Sequence, residues 1–163
     1  MIDKILNLIK RVLYSAGLAA LGLGLTTPTL SLAEDDGDDD LFGDPDHRVV
    51  YQLNKAAPDY LEQVLFSVGA MLRKHGDKIH FVVAGFVPGI HSLAKVPGRP
   101  VPGLVQQRVA SLSLYGVEFH ACGNTMKALG WTEKDLVDFA TVVEVGIDDI
   151  VNLQEQGYSY ISW

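Results

Sequence analysis

Residues 78 to 86 read KIHFVVAGF, an almost unbroken apolar run that Pro88 and Gly89 soon interrupt. A short segment rich in β-branched and aromatic residues, bounded by turn formers, is a strand. Its two faces are both apolar, so neither can lie against water. A parallel sheet between helical layers is the arrangement that covers a strand on both sides.

The remaining segments supply the other parts of such a sandwich. HRVVYQLN, 47 to 54, is a second β-branched run. The segment 57 to 76 follows, with Leu61, Val64, Leu65, Val68 and Leu72 on one helical stripe. Lys74 and His75 suit the negative end of that helix, and Gly76 suits its cap. Residues 87 to 103 read as a long proline-punctuated loop, and Val105, Val109 and Leu112 mark a helix over 104 to 115. Further strands are predicted at 117 to 121, 141 to 145 and 158 to 162. Further helices are predicted from Asn124, over 132 to 139 and over 147 to 156. Strands alternating with crossover-length helical segments predict an α/β fold, a three-layer sandwich with a mainly parallel central sheet of about five strands. No internal repeat or second domain is visible.

Ahead of this domain the composition changes twice. Lys4, Lys10 and Arg11 precede an apolar run from Val12 to Leu25, and Pro28 precedes the small-residue stretch Ser31-Leu32-Ala33. This order predicts a secretory signal peptide over 1 to 33, cleaved after Ala33, and hence a periplasmic protein. The apolar run is short against the roughly 20 residues of a membrane span. An uncleaved anchor reaching Ala33 is the alternative, and no membrane association is expected after cleavage. Residues 34 to 46 then carry eight carboxylates and no cation. Such a segment reads as a disordered acidic leader. A calcium loop is the competing reading, but the later bidentate glutamate of a calcium-binding hand is missing. From His47 to Trp163 ten Lys and Arg face eleven Asp and Glu. A domain so close to neutral offers no basic footprint for nucleic acid.

The chain has a single cysteine, Cys122, which excludes internal disulfides, zinc ribbons and paired redox thiols. In open parallel sheets, chemistry gathers beyond the carboxyl ends of the strands. Those ends are Asn54-Lys55, the Pro88 to Pro102 loop, Cys122-Gly123-Asn124 and Gly146. Amides at the start of the helix after Cys122 would favour a thiolate, and Gly123 allows a sharp turn with room beside the sulfur. A buried, inert cysteine is the other reading, and position alone does not choose between them. His120 lies two residues before Cys122, on the same face of its strand, as a base toward the thiol or a histidine satisfied beneath a helix. His91, in the long loop, is a second candidate neighbour of the sulfur or a surface residue. His47, His75 and His80 carry no functional signal. No spaced ligand set for a metal is present, and neither GxxxxGK[ST] nor GxGxxG occurs, so no metal or cofactor is expected. Cys122 with His91 and His120 lacks any local motif of a cysteine hydrolase.

The stretches VVYQLN, VLFSVGAMLRKHGD, GVEFHACGNTMKALGW and LQEQGYSYISW together resemble the DsrE/DsrF-like, or YchN-like, family of small sulfur-relay proteins, over residues 47 to 163. The resemblance implies a parallel α/β sandwich assembled into homo-oligomers such as trimers or hexamers. It also implies a cysteine that carries sulfane sulfur as a persulfide and passes it to a partner thiol. Here that role falls on Cys122, with Gly123 and Asn124 around the sulfur and Asn54, His91 and His120 as further binding candidates. The exported start departs from the cytoplasmic setting of the family's understood members. The expected function is a periplasmic sulfur carrier or sulfurtransferase with a sulfur donor or acceptor protein as partner. The alternative is a non-catalytic oligomeric module that binds a small molecule or protein and has a structural cysteine.

Overall fold

The computed structural model describes residues 44–163. The predicted signal peptide and the acidic leader as far as residue 43 lie outside the described residues. Five strands are formed: β1 (His47–Leu53), β2 (Ile79–Gly85), β3 (Glu118–Cys122), β4 (Ala140–Val143) and β5 (Ser159–Ile161). They lie in the order β4-β3-β2-β1-β5, and every pairing between them is parallel. The helices are α1 (Pro58–His75), α2 (Gly103–Leu114), α3 (Gly123–Leu129) and α4 (Gly146–Glu155).

The two-sided burial expected of β2 is present. On one face Phe81 and Val83 pack with Val49, Tyr51 and Phe119 under Leu61, Val64, Leu65 and Val68 of α1 and Val105 and Val109 of α2. On the other, Val82 and Ala84 join Val50 beneath Ile150 and Leu153 of α4. The topology accounts for this division. From β1 to β4 the chain advances in one direction, so right-handed crossovers put their helices on one face. From β4 it returns past β3, β2 and β1 to form β5, and the reversed direction puts α4 on the opposite face.

Two local expectations are corrected. The helix predicted over 132 to 139 is a single 3₁₀ turn, Glu133–Asp135, closed by reciprocal capping between Thr132 and Asp135. Leu136 then leaves helical geometry to enter the core and bridge Ala94, so tertiary burial overrides local preference. The predicted loop after β2 begins as a 3₁₀ helix, Val87–Leu93, that buries Ile90 and Leu93. Pro88 and Gly89 hide this element from a sequence reading. Gly89 has a separate steric cause, since a Cβ there would lie 2.0 Å from the Leu53 carbonyl oxygen.

Among the described residues no helix is long and apolar enough to cross a membrane. Because the Gly89 contact is with backbone, which cannot yield as a side chain does, Gly89→Ala should destabilise the domain by about 4 kcal/mol or more, the extreme range for one substitution. Denaturant unfolding of both proteins measures it.

Candidate functional site

Cys122 ends β3 and Gly146 opens α4 after β4, so both stand at the carboxyl edge of the sheet. After β3 the chain turns toward the α1/α2 face, where Met126 is buried. After β4 it turns to the other face, where Ile150 is buried. Neighbouring strands with diverging exits leave a crevice, the usual ligand position in an open parallel sheet. The sulfur sits where these exits diverge and is largely enclosed, the residue being 7% exposed.

A backbone donor reaches it from the α4 start. The Gly146 N–H donates to Cys122 Sγ at 3.2 Å. A Cβ on Gly146 would lie 3.0 Å from Cys122 Cβ and 3.3 Å from the Phe86 ring, so glycine permits the approach. Thr125, the third residue of α3, stands three positions after the sulfur at the start of that helix. Its Oγ1 in turn accepts the Val87 N–H at 3.1 Å. Val87 adopts φ 51°, a costly conformation for a β-branched residue, and so holds local strain beside the site. Burial pushes the Cys122 thiol up. The Thr125 hydroxyl first, then the Gly146 and Thr125 amides, outweigh burial and hold it below the usual cysteine range.

The predicted neighbours have more varied roles. Asn124 donates its backbone N–H to the Glu144 carbonyl at 3.1 Å, which ties the start of α3 to the β4 exit rather than to the sulfur. Gly123 allows the β3 and β4 exits to approach, since a Cβ would lie 3.1 Å from the Val143 oxygen. His120 is near in sequence, but its ring bonds Asp149 at 2.8 Å and Glu118 at 3.3 Å. His91 is buried in the 3₁₀ segment, where Nδ1 accepts the Gly98 N–H at 3.2 Å and the ring packs edge-on against Trp131. Burial first, and then the charge of Arg99, keep its pKa below the usual histidine value. Asn54 follows β1, two strands from β3, and its side chain accepts the Tyr60 hydroxyl at 3.1 Å.

The sequence reading missed Thr125, Val87, Glu118 and Asp149, and marked Gly146 only as a strand end. Thr125 had a usable signal, because a side chain at the third position of a helix can reach back to its cap. Among the described residues no cluster of three or more His, Cys, Asp or Glu could hold a metal. A cavity of about 790 Å³ lies between α1 and α2, lined by Phe66, Leu72, Arg73, Arg108 and Tyr115. Gly76 and Tyr115, which precede β2 and β3, set it toward the amino edge of the sheet, away from the sulfur. Its lining includes the Ser111 hydroxyl but not the thiol, so the cavity and the sulfur lie apart.

The DsrE/DsrF-like family profile matches residues 42–163, and the chain belongs to that family. The family suggests a function related to sulfur relay. A protein of unknown function from Methanobacterium thermoautotrophicum, MTH1491, is similar in structure with a TM-score of 0.65 and 25% identity, covering 72% of this chain and 99% of that one. The ychN protein from E. coli aligns with a TM-score of 0.56 and 13% identity over 72% of this chain and 99% of its own. BT1422 from Bacteroides thetaiotaomicron, a conserved protein of unknown function, aligns at 0.50 and 14% identity over 71% and 94%. No curated protein matches the chain significantly.

The folded thiol titrates below its unfolded value, so its ionised form adds stability above that unfolded value. The contribution is lost as pH falls through the folded value. Gly146→Ala forces α4 away from the sulfur. It should raise the thiol pKa toward the free value of about 8.5 and cost about 1–3 kcal/mol by overpacking. The pH dependence of Cys122 alkylation and denaturant unfolding check the two effects.

Proposed function

We propose that this chain is an exported sulfur carrier in which Cys122 holds sulfane sulfur as a persulfide. The observation that carries the reading is the Gly146 N–H at 3.2 Å from Cys122 Sγ. Donors fixed around a sulfur favour its anion and would equally favour an anionic persulfide. The Cys122 thiolate attacks the outer sulfur of a donor persulfide, R–S–SH. A new S–S bond forms at Cys122, the donor S–S bond breaks, and its electron pair leaves with R–S⁻. The proton stays on the transferred sulfur, and no outside oxidant is needed. Transfer to an acceptor thiolate repeats the exchange in reverse, which suits a chain with one cysteine. The proposed setting is the periplasm, and the proposed assembly is a homo-oligomer of three or more subunits.

The second reading, a binding module with a structural cysteine, draws on the 7% exposure of Cys122. Exposure to polysulfide followed by intact-mass measurement separates the two. A carrier gains about 32 Da, one sulfur atom, on the Cys122 peptide. Cys122→Ser should lose that adduct with little change in melting temperature, because its oxygen can accept the same amides. A structural cysteine gives no adduct, and its replacement by serine costs about 1–3 kcal/mol. Export and assembly are checked by mass and light scattering on protein recovered from the periplasm. The expected mature N-terminus is Glu34, and the expected particle mass is at least that of a trimer.

A further inference from the structure

On the α4 face of the sheet, five side chains that the sulfur chemistry does not use form a continuous chain of hydrogen bonds. Tyr158 Oη meets His80 Nδ1 at 2.7 Å, and His80 Nε2 meets Glu118 Oε1 at 3.0 Å. Glu118 Oε2 meets His120 Nε2 at 3.3 Å, and His120 Nδ1 meets Asp149 Oδ2 at 2.8 Å. Strand geometry places them there, since Glu118 and His120 alternate along β3 on the face that Cys122 also shares. Enclosure increases toward α4, the Glu118 side chain being 52% exposed against 11% for His120 and 15% for Asp149.

Counting hydrogens identifies the durable link. An ionised carboxylate only accepts, and a neutral imidazole has one N–H to give. His80 is satisfied as a neutral ring, with Nε2–H donating to Glu118 and Nδ1 accepting from the Tyr158 hydroxyl. His120 has a carboxylate oxygen at each nitrogen, so both of its bonds close only with one further proton, on the ring or on Glu118. Of the two, the 3.3 Å bond to exposed Glu118 is the weaker. The shorter, enclosed bond from His120 Nδ1–H to Asp149 is the stronger.

Asp149 lies in the first turn of α4, where its own backbone N–H donates to the Val145 carbonyl at 3.0 Å. That turn therefore touches β3 twice, through Gly146 to Cys122 and through Asp149 to His120. We infer that the His120–Asp149 pair is a positioning element that holds the first turn of α4 on β3 and so keeps the Gly146 N–H on the Cys122 sulfur. The inference rests on Cys122 being the reactive group of the proposed function. The titratable groups facing the pair are His80 from β2, Glu118 from β3 and Tyr158 ahead of β5; β4 offers Thr141 alongside His120.

The test is the rate of Cys122 alkylation by iodoacetamide against pH, on the full chain and on three variants, with circular dichroism confirming the fold. The pH midpoint reports thiolate formation, while the limiting rate at high pH reports access to the sulfur. Asp149→Ala should move the midpoint upward and lower the thiolate fraction at pH 7 about three- to tenfold, the scale of one lost hydrogen bond. Asp149→Asn, whose amide oxygen still accepts from His120 Nδ1–H, should fall between it and the unaltered chain. Glu118→Gln should leave the midpoint in place. Removing the Asp149 charge acts on the thiolate in the opposite direction, so a downward shift indicates a field effect and overturns the inference. An unmoved midpoint in both Asp149 variants, or an equal shift in Glu118→Gln, also overturns it. If Asp149→Ala does not fold, the Asp149→Asn midpoint decides. Failure of the carrier reading is a separate result: no polysulfide adduct, whatever the midpoints do.

Discussion

The return of the chain from β4 to β5, back past β3, β2 and β1, is the constraint on which both cores and the site depend. It takes α4 to the face that α1 and α2 leave bare, so β2 becomes apolar-packed on both sides. It also makes the exits of β3 and β4 diverge, which opens the crevice at the carboxyl edge. A chain that continued to advance in one direction would stack its helices on one face and leave Val50, Val82 and Ala84 against water. The reversal thus serves stability and site formation together.

Within that crevice two opposing effects act on one sulfur. Enclosure disfavours a charged thiolate, and a cysteine that is only buried is inert. The donors around Cys122 act the other way because they are largely backbone amides already held by strand exits and helix starts, so little ordering is needed when charge develops. Thr125 adds a hydroxyl that the Val87 N–H orients, and Val87 accepts a left-handed conformation to provide it. Strain of this kind persists only where the surrounding packing holds it, here the buried 3₁₀ segment that follows β2.

Membership of the DsrE/DsrF-like family and the shared fold of structures with low identity agree on the scaffold. The scaffold alone does not specify chemistry, because one fold supports many sites. The reading of Cys122 as a sulfur carrier therefore depends on the donors around it, and the second contact between α4 and β3 bears on how firmly those donors are held.

Much of the architecture was legible from local pattern. Two apolar faces on residues 79 to 85 demanded cover on both sides, the Leu61 to Val68 stripe marked a helix, and glycine after a strand marked Cys122 as a strand end. Periodicity along one segment tells which face a residue occupies, and these inferences needed no more. It does not tell what lies across from that face. Gly146 meets Cys122 from another strand exit, and Asp149 meets His120 from a helix on the far side of the chain's return. His91 and Asn54 stand at strand ends as expected, yet their polar atoms are engaged by Gly98 and Tyr60. The 132 to 139 segment lost its predicted helix because Leu136 gains more by entering the core than by continuing a turn. The sequence by itself determined the strands, the main helices, the sandwich and the position of the sulfur, since each follows from the burial needs of a contiguous segment. The tertiary structure alone decided which groups surround that sulfur, because register and helix docking set contacts between residues far apart in the chain.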